Sequence, residues 1–330
     1  MSPAAFAHGA VISGCRGPEL TPWERDFFRD SDPWGFILFA RNVETPEQLR
    51  RLTADLRAAV GRRAPVLVDQ EGGRVQRLRR PHWADWPPAL GQGADALAAQ
   101  FRAIARELRA VGIDADCAPL GDIAGAETHP FLANRCYGAD AASVTDAARA
   151  VAEALLSEGV LPVVKHLPGH GRASADSHHD LPTVAASLEA LRATDFAPFR
   201  ALAHLPLAMT GHMRFPALDA ENPTTFSPAV IGAIRTEIGF DGLLMTDDIG
   251  MKALSGTAGE RAARALAAGC DVVLHCNGTA EDMQEVAAAA GRLTPAAAAR
   301  AARAIAIRDG AQIGAPAGGL AGLPSAAGDG

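Results

Sequence analysis

Four short apolar runs in the sequence end on residues able to do acid–base or nucleophilic chemistry. Val66–Val68 runs into Asp69-Gln70-Glu71-Gly72-Gly73-Arg74, and Leu161–Val164 runs into Lys165-His166-Leu167-Pro168-Gly169-His170-Gly171. Leu207–Thr210 reaches His212, and Gly242–Thr246 leads to Asp247-Asp248. One acidic residue after a strand usually caps the next helix. Four polar strand ends together point instead to one shared site.

The segment Val164–Pro182 is the richest, with four histidines, a lysine and two aspartates among glycines and small residues. Its composition suits a loop that closes over a bound molecule. Within it, Asp176 stands two residues before His178. A carboxylate so placed can accept the Nδ1–H, fix the tautomer and leave Nε2 to exchange a proton. A metal site is the rival reading, with His166, His170, Asp176, His178, His179 and Asp180 as ligands. Pro168 and Gly169 fall inside the first histidine pair, which argues against a ligand helix with both rings on one face. The expectation is therefore no metal and no cofactor.

These residues need a frame that brings strand ends together. Candidate strands are Ala10–Ile12, Gly35–Phe39, Val66–Val68, Ile113–Ala118, Leu161–Val164, Leu207–Thr210, Gly242–Thr246 and Asp271–Leu274. Helical stretches separate them, and about eight such units favour a closed parallel barrel over an open sheet. The predicted fold is α/β, a single (β/α)8 TIM-type barrel over residues 1–309, whose C-terminal mouth collects the polar ends. Thr21-Pro22-Trp23-Glu24 and Thr45-Pro46-Glu47-Gln48 read as capping boxes with proline at the first helical position, and Thr294-Pro295 opens a last helix to about Ile307. Residues 310–330 are Gly, Ala and Pro rich and read as a flexible tail.

Composition narrows the function classes. The chain has 330 residues, 48% of them hydrophobic, and a formal net charge of -7. That balance, with only Arg77, Arg79 and Arg80 clustered, disfavours nucleic acid or an anionic membrane as partner. Five scattered cysteines include no CxxC pair and read as reduced thiols. With no signal-like start and no long apolar run, the expected location is the cytoplasm.

Three separated segments then resemble glycoside hydrolase family 3, in its single-domain β-N-acetylglucosaminidase branch. They are Val68–Val75 (VDQEGGRV), Val164–His178 with its KHLPGHG and DSH pieces, and Gly242–Met251 (GLLMTDDIGM). The similarity runs from about residue 8 to about residue 308, with the motifs in the family's order. Leu167 departs from the usual phenylalanine, and Cys136-Tyr137 from the usual Ser-Phe, changes expected to alter packing only.

The resemblance implies a retaining, exo-acting β-N-acetylhexosaminidase. Asp247 would be the nucleophile, His178 the general acid/base assisted by Asp176, and Asp69, Arg77, Arg135, Lys165 and His166 the sugar contacts. It also implies a glycan as partner, namely N-acetylglucosaminyl anhydro-muropeptides of peptidoglycan recycling, and sets no oligomeric state. Composition alone does not choose between Asp247 and Asp248. Asp248 is expected to brace the turn through the N–H groups of Ile249-Gly250-Met251, and Glu71 to support the Gly-rich turn. Trp83 and Trp86 are open to sugar stacking or to packing, and His170, His179 and His212 stay outside the expected site. A β-N-acetylglucosaminide phosphorylase, a silent sugar-binding barrel and a metal-dependent hydrolase are the competing functions.

Overall fold

The structure is a computed structural model that describes residues 8–126, 128–173 and 181–310. Eight parallel strands close a barrel: β1 (Gly9–Gly14), β2 (Pro33–Leu38), β3 (Val66–Val68), β4 (Ala115–Asp116), β5 (Leu161–Leu167), β6 (Leu207–Thr210), β9 (Leu243–Asp248) and β10 (Val272–His275). They follow one another around the ring in that order, and β10 returns to β1 through Val11↔Val273 and its neighbours. A two-stranded antiparallel hairpin, β7 (Arg214–Phe215) with β8 (Asp219–Pro223), is inserted after β6. The (β/α)8 expectation holds, and each of the eight expected strands has its counterpart.

Helices cover the outside: α1 (Pro22–Ser31), α2 (Pro46–Ala59), α3 (Ala94–Ala110), α4 (Pro130–Ala133), α5 (Ala141–Ser157), α6 (Leu188–Ala193), α7 (Phe196–Ala201), α8 (Pro228–Thr236), α9 (Ala258–Ala268), α10 (Ala280–Ala290) and α11 (Pro295–Gly310). Their apolar residues recur at helical spacing. In α3, Leu97, Phe101, Ile104, Ala105 and Leu108 are buried on one stripe. Each large side chain so buried contributes about 1.5–3 kcal/mol.

The Thr21 capping box forms as expected, with Thr21 and Glu24 exchanging bonds. At α2 only half of the expected box exists. Thr45 accepts the Gln48 N–H, but the Gln48 side chain accepts from Glu44 N and donates to the carbonyls of Pro18 and Asn42. Gln48 is buried, so its amide serves tertiary partners instead of its own cap.

Side-chain alternation along the strands divides the core in two. Ile37, Leu67, Leu161, Val163, Leu207, Met209, Leu243 and Met245 belong to one apolar cluster, whereas Phe36, Leu38, Val66, Val68, Val164, Ala208 and Leu244 belong to the other. Ile37 and Met209 of the first set also line the cavity at the strand ends, so that set faces inward. Counting on by two from Leu67, Val163 and Met245 brings Asp69, Lys165 and Asp247 to the interior.

Candidate active site

Several strand endings differ from the sequence reading, and two of the differences involve site residues. Lys165 and His166 lie within β5, and Asp247 and Asp248 within β9, instead of after them. β4 is shorter than expected, two residues where six were predicted. Beyond it the chain still runs beside β5, as Leu120 bridges Lys165 and Gly121 N donates to the Lys165 carbonyl at 2.8 Å. That pairing carries Asp122 to the side of His166.

A cavity of about 200 Å³ opens at the C-terminal mouth of the barrel. Asp69, Arg77, Arg135, Lys165, His166 and Asp247 all line it, as do Asp248 and His170. Asp176, His178, His179 and Asp180 lie outside the described residues. Trp83 and Trp86 do not line it; Trp83 sits in the core, Trp86 packs against it, and the Trp86 indole N–H donates to Glu107 at 3.0 Å.

Charges on one wall form a chain of pairs. Arg77 reaches Asp69 at 3.0 Å, Lys165 Nζ stands 3.0 Å from Asp69 and 2.6 Å from Glu71, and Arg135 holds Glu71 through two bonds of 2.9 and 2.8 Å. Burial alone would raise both carboxyls. The Lys165 and Arg77 charges outweigh it and hold Asp69 well below its ordinary range. Arg135 and Lys165 likewise hold Glu71 at about 2. Lys165 is driven the other way, since its two carboxylates overcome the burial that would lower it. Glu71 thus has a larger part than turn support: it fixes two cations that face the cavity.

On the opposite side stands the Asp247-Asp248 pair. Burial would raise Asp247, but the imidazoles of His212 and His166 and the Asp248 N–H lower it, so the carboxylate is ionised at neutral pH. Asp248 Oδ1 accepts from Gly250 N at 2.9 Å, as expected, and also from Cys276 N at 3.1 Å. Its carbonyl accepts from Nε2 of His212 at 2.9 Å. Burial pushes the His212 pKa down, and its Nδ1 stands 2.7 Å from the Thr225 hydroxyl oxygen.

One buried group was missed by sequence reasoning. Asp122 is fully buried, with Oδ2 2.7 Å from Nδ1 of His166 and Oδ1 accepting the His170 N–H at 2.7 Å. Burial would raise its carboxyl, and the His166 imidazole lowers it. The Nδ1 of His166 therefore donates inward, and the ring is oriented with its other nitrogen free to meet a ligand. Among the described residues no group of three His, Cys, Asp or Glu is placed to hold a metal ion. His166 and His170 stand edge-on, with ring centres 5.5 Å apart.

The cavity therefore presents fixed cations and acceptors for hydroxyls on one side and an ionised carboxylate on the other. Such a site can orient a polyhydroxylated molecule and stabilise or capture positive charge developing at one of its carbons. The family model described as the glycosyl hydrolase family 3 N terminal domain matches residues 26–306. The chain belongs to glycosyl hydrolase family 3. It is thus a glycoside hydrolase on a TIM-type barrel.

Among curated proteins, it is 38% identical over 291 residues to the β-hexosaminidase of Bordetella avium (strain 197N), covering 83% of this chain and 82% of that one. It is 39% identical over 285 residues to the β-hexosaminidase of Alkalilimnicola ehrlichii, covering 82% and 81%. Among solved structures, NagZ from Neisseria gonorrhoeae in complex with N-trifluoroacetyl-D-glucosamine matches with a TM-score of 0.83 and 32% identity, over 91% of this chain and 90% of that one. The family 3 β-N-acetylglucosaminidase from Paenibacillus sp. str. FPU-7 matches with a TM-score of 0.84 and 32% identity, over 97% of this chain but only 64% of that longer chain.

Proposed function

We propose that this protein is a retaining, exo-acting β-N-acetylhexosaminidase that hydrolyses terminal N-acetylglucosamine from β-1,4-linked anhydro-muropeptides in cytoplasmic peptidoglycan recycling. The observation that carries the reading is the placement of Asp247, ionised and inward, across one cavity from the Asp69–Lys165–Glu71–Arg135 chain of charges. The names of the similar proteins support it.

Asp247 attacks the anomeric carbon while the glycosidic oxygen takes a proton from His178, oriented by Asp176, and leaves with the aglycone. Water then gives a proton back to His178 as it attacks the same carbon, releasing the sugar and restoring the Asp247 carboxylate. Two displacements return the original configuration. Asp69, Arg77, Arg135, Lys165 and His166 hold the hydroxyls through charge-assisted hydrogen bonds. The last barrel helix, α11, reaches Gly310, and residues 311–330 lie outside the described residues.

A fluorinated slow-turnover N-acetylglucosamine analogue tests this. The adduct should map to the peptide carrying Asp247, and p-nitrophenyl N-acetyl-β-glucosaminide should be hydrolysed with retention, equally with EDTA and with phosphate present. An adduct on Asp248, an inverted product, metal-restored activity or release of the sugar 1-phosphate would each overturn part of it.

A further inference from the structure

The alternation that turns Asp69, Lys165 and Asp247 inward applies to β2 as well. Counting on by two from Ile37 brings Phe39 to the interior, where it packs against the inner apolar cluster and lines the active-site cavity. An aromatic ring thus stands at this strand end, where its neighbours present charged groups. Its backbone is held: the Phe39 N–H donates to Asn42 Oδ1 at 2.9 Å, and the Asn42 amide donates to the carbonyls of Cys15 and Gly17 at 3.1 and 2.8 Å. The turn Ala40–Asn42 therefore ties Phe39 to the segment that follows β1.

Two guanidiniums stand near this half-buried ring, Arg41 at 4.9 Å and Arg77 at 5.5 Å from its centre. Both distances fall within the reach of about 6 Å over which an aromatic face attracts a cation. Arg41 is fixed without the ring, by bonds to the Cys15 carbonyl, Asn277 Oδ1 and the Cys276 carbonyl. Arg77 is fixed less well. Its guanidinium pairs with Asp69 through one Nη at 3.0 Å, and the other Asp69 oxygen is taken by Lys165 at 3.0 Å, so the pair is no two-bond fork. The Arg77 Nε is buried and meets no hydrogen-bond acceptor among the described residues. A guanidinium held at one corner can swing about that bond, and the Phe39 ring supplies a second point of support.

We propose that Phe39 is a positioning residue, whose ring holds the Arg77 guanidinium in the orientation that meets the sugar hydroxyls. It acts through Arg77 and not on the substrate. The proposal rests on the glycosidase reading, in which Arg77 is a sugar contact.

The test replaces Phe39 by phenylalanines carrying one, two and three ring fluorines. Fluorine drains the negative face of the ring and changes its size little. With p-nitrophenyl N-acetyl-β-glucosaminide, kcat/KM should fall in step with fluorine number, to about one tenth at three, the scale of one partly desolvated cation–π contact. The fall should lie mainly in KM, as for lost binding. A ring that only fills space would give equal rates throughout, which overturns the proposal. In Arg77→Met the dependence on fluorine should vanish. If it persists there, the ring acts on the sugar or through Arg41, and the assignment to Arg77 is wrong. A second measurement does not need turnover. The Arg77 Nε–H proton signal, identified by its loss in Arg77→Met, should be displaced upfield by the ring current of Phe39 and return to its ordinary position in Phe39→Leu. An undisplaced signal in the unaltered protein overturns the proposal even where the glycoside is hydrolysed. A displaced signal in a protein inert towards the glycoside keeps the contact and removes the glycosidase reading.

Discussion

Asp122 Oδ2 lies 2.7 Å from Nδ1 of His166, and the other oxygen of the same carboxylate holds the His170 N–H at 2.7 Å. A single buried group thus ties a side chain of the cavity wall to the backbone of the segment that leads on to Asp176 and His178. The contact orients one ring and anchors one loop, so its loss should be felt in binding and in turnover together.

Asp122→Asn retains the shape but removes the charge that faces His166. A charge-assisted bond of this kind is worth about 1.5–3 kcal/mol, so kcat/KM should fall about 10–100-fold. Asp116 offers the contrast. Burial raises its carboxyl well above the ordinary range, and its Oδ1 accepts from Gln70 N at 3.0 Å. Asp116→Asn keeps that acceptor and should change kcat/KM by less than about threefold. Steady-state kinetics on the two variants decides; equal losses would refute the distinction.

Glu71 sets an acid limit on stability. Its folded pKa, about 2, is below the ordinary 4.5, so its contribution is complete above pH 4.5 and is lost as pH falls from there towards 2. Glu71→Gln should lower Tm at pH 7, because Lys165 and Arg135 lose a buried partner at a cost of about 3–5 kcal/mol. The same variant should show a flatter decline of Tm between pH 4.5 and 2 than the unaltered protein. Parallel curves would show that Glu71 does not govern this window.

Asp247 and Asp248 are expected to respond very differently to the same change. Asp248 Oδ1 accepts two backbone N–H groups, a task that an amide oxygen performs as well. Asp248→Asn should therefore keep kcat within about tenfold, a loss of roughly 1 kcal/mol. Asp247→Asn should remove turnover and covalent labelling while circular dichroism and Tm stay near those of the unaltered protein. A reversed pattern would move the nucleophile to Asp248.

For His178, outside the described residues, the proposed mechanism makes a leaving-group prediction. His178→Ala should slow a disaccharide far more than an activated aryl glycoside in the first step, because only the former needs its oxygen protonated. Asp176→Ala should give a milder form of the same defect. Rates on the disaccharide unchanged in both variants would exclude the dyad.

The barrel was legible because parallel strands buried on both faces are short apolar runs, and β3 and β6 begin and end where those runs do. The same criterion cut β5 and β9 short. Lys165, His166, Asp247 and Asp248 are strand residues whose polarity reads as a break, although all four line the cavity. Asp122 left no such trace. It stands past the end of the fourth run, in an irregular segment placed by the Leu120–Lys165 bridge, which is a tertiary contact. The pattern of an acid after each strand, applied to Ala118-Pro119-Leu120-Gly121-Asp122, was the available signal. The hairpin β7–β8 was equally silent, since its second strand, DAENP, has no apolar alternation.

The pairing of β10 with β1 and the reach of Arg308 to Asp114, 3.1 Å apart beneath β4, have a consequence for how this protein is made. Neither contact exists until β10 and α11 respectively have been synthesised. During synthesis the edges of β1 and of the growing sheet stay unpaired, and Asp114 has Arg57 and the Val66 N–H as partners but not yet Arg308. Such edges invite aggregation and long-range closure is slow. Nascent chains halted before α11 should therefore remain protease-sensitive and dependent on chaperones, and release of the last helix should be the event that protects them.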